Sequence, residues 1–136
     1  MVIKAWIHGY AARKGDKYGA FAVRMTDGAG GELTRSYKLK GATANQAEIR
    51  AAQFVLKAIT NPTTHSDIRL HTCSHYLATL LEKDSSGGWA KDPKANQQSV
   101  DELRNASAGF SLEVVKDSDS PEMVAMKTAA KNRANV

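Results

Sequence analysis

Thr43-Ala44-Asn45-Gln46-Ala47-Glu48-Ile49-Arg50-Ala51-Ala52 is the stretch that decides the fold. A threonine hydroxyl can accept a hydrogen bond from the free amides of a first helical turn, which makes Thr43 an N-cap. Apolar residues then recur at Ala47, Ala51, Phe54, Val55 and Ala58, at three- and four-residue spacing. That period is one face of an amphipathic helix. Asn61-Pro62 closes it, because the residue before a proline is pushed out of helical geometry. Glu48 lies early in this helix, where the macrodipole favours a negative charge with no further role.

Working back toward the N-terminus, the texture is that of strands. Val2 to Ile7 places Ile3, Ala5 and Ile7 on one face and Trp6 on the other. Ala11 to Lys17 is a polar loop. Tyr18 to Thr26 is a second strand, with Phe21 and Val23 alternating against Ala20 and Ala22. Asp27-Gly28-Ala29-Gly30-Gly31 is a hairpin turn, and Glu32 to Leu39 returns as a third strand. Working forward, Asp67 to His71 is a fourth strand and Ser74 caps a short helix through Leu81. Asn96 is expected to cap a helix to about Ala106. Phe110 to Val115 is a fifth strand, and Pro121 opens a last helix that runs to Arg133. The pattern is mixed α/β, with right-handed crossovers setting the later strands parallel to the first. A five-stranded mixed sheet with strands one to three antiparallel and helices on both faces is the expected architecture. It forms one domain over residues 1–133, with residues 134–136 expected to fray.

The chain has 136 residues, ordinary for one domain that buries its own core. No apolar run reaches membrane-spanning length. One cysteine cannot form an internal disulfide, which fits a reducing compartment, so a cytoplasmic location is expected. The formal net charge is +5 and the pI about 9.4, a balance that attracts polyanions.

This order of elements resembles that of the ribonuclease H family, and scattered residues support the resemblance over nearly the whole chain. Ile7-His8-Gly9 sits where the family has a strand ending in Thr-Asp-Gly. Tyr18-Gly19-Ala20 is similar to its Gly-Tyr-Gly-Ala, and the Thr43 to Ala51 stretch to its Thr-x-Asn-x-x-Glu-x-x-Ala. Thr72-Cys73-Ser74-His75-Tyr76-Leu77 resembles Thr-Asp-Ser-x-Tyr-Val. Trp89, Asn96, Leu103, Val115-Lys116 and Ser120-Pro121-Glu122 fall in order behind it. Ala125-Met126-Lys127-Thr128-Ala129 lies on the family's closing Ala-Asp-x-Leu-Ala.

The family cleaves the RNA strand of an RNA–DNA hybrid with two Mg²⁺ ions on four carboxylates. The resemblance puts those four positions at His8, Glu48, Cys73 and Met126, of which only Glu48 is a carboxylate. Mg²⁺ demands hard oxygen ligands, so its site is expected to be lost and classical hydrolysis with it. The family's loop histidine would fall near Asp117 or Ser118, where there is none. Asp117 and Asp119 could approach as substitutes, whereas Asp67 begins the fourth strand at the wrong end. His8, Glu48 and Cys73 together form a borderline-soft set that suits Zn²⁺ better than Mg²⁺. The favoured reading is plainer: the positions drifted after activity was lost, and no cofactor is bound. A Cys–His nucleophile pair is a third reading. Met25, Met123 and Met126 are expected to pack in the core.

Nucleic-acid contacts, if kept, are expected from Thr43 and Asn45 at the helix start, and from His75, where the family has a groove-contacting Gln. Lys38, Lys40, Arg13, Lys14 and Lys17 would add charge, and Trp89, Lys91 and Lys94 lie where the family has a substrate-binding tryptophan or a basic protrusion, although Trp6 and Trp89 are expected first as core or partly buried aromatics. Lys127 and Lys131 are expected to lie far from this face. Two functions follow: a non-catalytic module for hybrid, duplex or structured RNA, or a protein-interaction subunit on the same scaffold. An exposed basic stripe favours the first, and an apolar patch or open sheet edge favours the second.

Overall fold

The computed structural model describes residues 2–11, 18–59 and 67–136. Strands β1 (Val2–Tyr10), β2 (Tyr18–Thr26) and β3 (Glu32–Lys40) form an antiparallel meander. Helix α1 (Ala44–Ala58) leads to β4 (Asp67–Thr72), which pairs parallel with β1. Helices α2 (His75–Leu80) and α3 (Gln97–Ser107) precede β5 (Ser111–Lys116), parallel to β4, and α4 (Pro121–Ala134) ends the fold. The sheet order is β3-β2-β1-β4-β5. This is the mixed five-stranded sheet expected from the sequence.

Strand alternation splits the core into two layers. Ile3, Ala5 and Ile7 of β1 pack with Phe21, Val23 and the α1 residues Ala47, Ile49, Ala51 and Val55. Trp6 and Ala22 point the other way, onto Met123, Met126 and Ala130 of α4. Helices therefore cover both faces. Met25 joins the first layer, and Met123 and Met126 the second.

Three local readings change, and a fourth, the Thr43 cap, is borne out and gains a partner. Strand β1 runs three residues past Ile7, because His8, Gly9 and Tyr10 continue the ladder opposite Ala22, Phe21 and Ala20. A His-Gly-Tyr run has no apolar alternation to announce this. The capping box on Thr43 is closed by Gln46, whose side chain accepts from the Thr43 amide. Asn96 stands at the start of α3 in a left-handed conformation, φ 59°, and its side chain caps nothing. It instead bridges Tyr76 and Gln46, tying α2 and α3 to the start of α1. Finally, α4 continues past Arg133 to Ala134, whose side chain is buried, and the Val136 carbonyl accepts from Lys38. The Asn61-Pro62 stop lies outside the described residues.

Gly9 fixes how closely β1 and α1 approach. A Cβ there would lie 2.6 Å from the Glu48 amide nitrogen and 2.9 Å from the Ala47 carbonyl carbon, both backbone atoms that cannot swing aside. Gly9→Ala is therefore expected to cost roughly 1–3 kcal/mol, the range for overpacking a tight site. Urea unfolding checks this: the midpoint should fall at unchanged slope. A midpoint equal to that of the parent would mean that the helix is free to give way.

Candidate functional site

The parallel register of β1 and β4 ends on the pair Ile7 and Thr72. The next residue of each strand is therefore His8 and Cys73, and these stand side by side, with His8 Nδ1 3.2 Å from Cys73 Sγ. Glu48 comes from α1 across the side-chain-free surface of Gly9. Its Oε1 accepts the Gly9 amide at 2.8 Å, and its Oε2 accepts the Thr72 hydroxyl at 3.2 Å. The same Oε1 lies 3.8 Å from His8 Nδ1. One ligand atom from each of His8, Glu48 and Cys73 falls within 4.8 Å of the others. Three of the four positions singled out by the resemblance thus converge. Met126 stays in the α4 core layer, 3% exposed, and offers the site nothing.

Burial dominates the electrostatics. It pushes the Glu48 carboxyl up to about 7, against the pull of the Gly9 and Thr72 hydrogen bonds. Burial also lowers the His8 imidazole, helped by the charge of Lys127. It raises the Cys73 thiol, and the negative charge of Glu48 adds to this. An activated nucleophile needs the reverse, a lowered thiol beside a histidine that holds a proton. The Cys–His pair is close enough to be a nucleophile and its base, but its surroundings keep both partners neutral.

The surrounding charges differ from expectation in one respect. Lys127 is not remote, since its charge acts on both His8 and Cys73, while its ammonium donates to the Ser118 carbonyl at 3.0 Å. Helical geometry explains this: Lys127 follows the buried Met126 on a helix packed against β1 and β2. Asp67 pairs with Val2 at the far end of β1. Asp117 comes close in backbone, its amide donating to the Thr72 carbonyl at 2.9 Å. Its carboxylate, however, is held by His71 Nδ1 at 3.0 Å and the Ser120 hydroxyl at 2.6 Å. Neither Asp117 nor Asp119 joins the group of three. One carboxylate, one thiol and one imidazole do not fit a Mg²⁺ pair, which needs a shell of oxygens.

The expected nucleic-acid residues divide. Thr43 and Asn45 are exposed at the start of α1, and Lys40 is exposed at the end of β3. His75 is exposed on α2 with Lys116 Nζ 3.3 Å from its Nδ1. Lys38 is turned aside, its ammonium donating to the Val136 carbonyl and lying 4.7 Å over the Tyr18 ring. Trp89 is not an open platform: its ring carries Lys83 at 5.0 Å and Arg104 at 4.7 Å. Arg104 is buried and donates to the Leu80 and Lys91 carbonyls. Arg13, Lys14 and Lys17 lie outside the described residues. Sequence reasoning missed Arg50, which shares a groove with Lys38, Lys40 and Gln46. Its signal was available, since a residue four beyond Gln46 lies on the same helix face.

The raised Glu48 carboxyl makes stability depend on pH. The folded protein keeps a proton, up to about pH 7, that the unfolded chain releases near 4.5. Stability is then full below about 4.5, falls as pH rises to about 7, and levels off above. The loss is on the order of 3 kcal/mol if the whole shift counts. Glutamine can accept from Gly9 and has an amide in place of the charge. Glu48→Gln should match the parent at about pH 4 and exceed it in thermal stability at about pH 8. A variant no more stable at the higher pH would refute a strained buried carboxylate.

No family model matches the sequence, and no curated protein matches it. Solved structures share the fold. The crystal structure of RNase H1 from the halophilic archaeon Halobacterium salinarum NRC-1 superposes with a TM-score of 0.75 at 20% identity, over 99% of this chain and 98% of that one. LC11-RNase H1 in complex with an RNA/DNA hybrid gives 0.74 at 14% identity, over 98% and 96%. LC9-RNase H1, a type 1 RNase H with the type 2 active-site motif, gives 0.75 at 17% identity, over 98% of this chain and 72% of that one. The chain has the ribonuclease H-like fold.

Proposed function

We propose that this chain binds nucleic acid, an RNA–DNA hybrid, duplex or structured RNA, and does not cleave it by the two-metal route. The observation that carries this reading is the groove where Lys40 and Arg50 meet Gln46 beside the start of α1. Thr43 and Asn45 lie exposed at that same helix start. A helix N-terminus offers partial positive charge and amide donors to a phosphate. The cations around it would read backbone and shape, not base sequence. The hybrid-bound state of LC11-RNase H1 shows that a protein of this fold can hold such a ligand. A cytoplasmic setting belongs to the same proposal and rests on the single, unpaired cysteine. No helix among the described residues is long and apolar enough to cross a membrane.

A protein-interaction role is the second reading, and one observation favours it. Strand β3 is a sheet edge, and Tyr37 on it is 41% exposed. Edge strands that carry several cations resist pairing with other chains. Arg35, Lys38 and Lys40 give β3 that character, which weighs toward nucleic acid.

Fluorescence anisotropy with labelled hybrid, duplex RNA and duplex DNA across a salt series tests the proposal. Affinity should fall steeply with salt, by a log–log slope of about −0.9 for each phosphate neutralised on B-form DNA. Replacing Lys40 and Arg50 together with Ala should weaken every duplex about equally and flatten the slope by about 2. Replacing Lys131 should do far less. Absence of binding to all three ligands at low salt would leave the interaction role as the better reading.

A further inference from the structure

We propose that His8 Nδ1, Cys73 Sγ and Glu48 Oε1 form a three-ligand site for a borderline-soft divalent cation, zinc foremost, with the fourth position open to water. The inference stands apart from the nucleic-acid reading and uses none of its residues.

Geometry carries the argument. Zinc bonds of about 2.0 Å to nitrogen and oxygen and about 2.3 Å to sulfur place tetrahedral ligand atoms about 3.3–3.6 Å apart. Here His8 Nδ1 is 3.2 Å from Cys73 Sγ and 3.8 Å from Glu48 Oε1. One ligand atom from each of the three residues lies within 4.8 Å of the others. Adjustments of a few tenths of an ångström to about one ångström, within reach of side-chain torsions, complete the triangle. The ligands come from three elements locked together, β1, the end of β4, and α1, and Gly9 holds the strand against the helix. Preorganised ligands lower the ordering cost of binding.

The groups around the ligands fit the same reading. Metal-bound carboxylates are usually hydrogen-bonded themselves. Glu48 already has the Gly9 amide and the Thr72 hydroxyl in that role. Access comes from the His8 and Cys73 side: the His8 side chain is 19% exposed and that of Glu48 is 4%. Around the thiol, the charge of Lys127 opposes a cation and that of Asp117 favours one. Thiol and imidazole ligands select zinc over magnesium. On binding, the Cys73 S–H bond breaks, its electron pair goes to the metal and its proton to solvent. Where Glu48 is protonated, its proton leaves the same way. No oxidant or reductant is needed.

Cobalt(II) is the probe, because it reports geometry and thiolate ligation by absorption. The 136-residue protein, reduced and stripped with a chelator, is titrated with Co²⁺ without oxygen, and Zn²⁺ is then added. The expected result is one equivalent of tetrahedral Co²⁺ with a thiolate-to-metal charge-transfer band, displaced by Zn²⁺ and untouched by excess Mg²⁺. Cys73→Ser should abolish the band, with its circular dichroism unchanged. His8→Ala should weaken Zn²⁺ binding by more than about tenfold, since losing even an outer-shell partner can cost that much. An octahedral Co²⁺ spectrum without a charge-transfer band, or a band that persists in Cys73→Ser, overturns the proposal.

Discussion

The structure depends on one close contact, the seating of α1 against Gly9 of β1. Only a residue without a side chain lets the Glu48 backbone come this near. That approach delivers the Glu48 carboxylate to the Gly9 amide, and from there to Thr72 at the end of β4. A carboxylate 3% exposed thus ties the antiparallel half of the sheet to its parallel half through the first helix. Burying it carries a free-energy cost, which appears as a proton held up to about pH 7.

Much of this was legible in the sequence, for identifiable reasons. The 3.6-residue period between Ala47 and Ala58 announced α1, and the two-residue period of Phe21 and Val23 announced β2, since each periodicity is a direct imprint of one buried face. Thr43 and Ser74 announced two helix starts, because hydroxyl caps act within a single turn, and Pro121 announced a third. What stayed hidden depends on contacts between residues far apart in the chain. Asn96 looked like a cap, yet its partners are Gln46 and Tyr76. Trp89 is partly buried against the core, as its aromatic character suggested, but the cations over its ring at 4.7 and 5.0 Å, Arg104 and Lys83, could not be foreseen. Lys127 looked remote because sequence gives no account of how α4 lies across the sheet. The site divides in the same way. The resemblance named His8, Glu48 and Cys73, and the β1–β4 register explains why they meet. Arg50 shares a helix face with Gln46, which the sequence does carry, but its meeting with Lys40 of β3 depends on the packing of two elements.

The ribonuclease H-like fold brings one buried carboxylate, that of Glu48, to the point where α1 meets β1 and the end of β4. The residues in that place are a thiol and an imidazole, kept neutral by burial and unsuited to magnesium. The exposed start of α1 and the neighbouring cations Lys40 and Arg50 are separate from that place, on adjoining surface.

The separation of binding from cutting is tested most directly in one mixture. An RNA–DNA hybrid labelled on its RNA strand is incubated with the protein in Mg²⁺ or Mn²⁺ at low salt. Anisotropy is recorded first, and the RNA strand is then sized on a denaturing gel. The account predicts a raised anisotropy and an RNA strand of unchanged length. Metal-dependent shortening of the strand, abolished by Glu48→Gln, would contradict it and show that other groups complete the metal site.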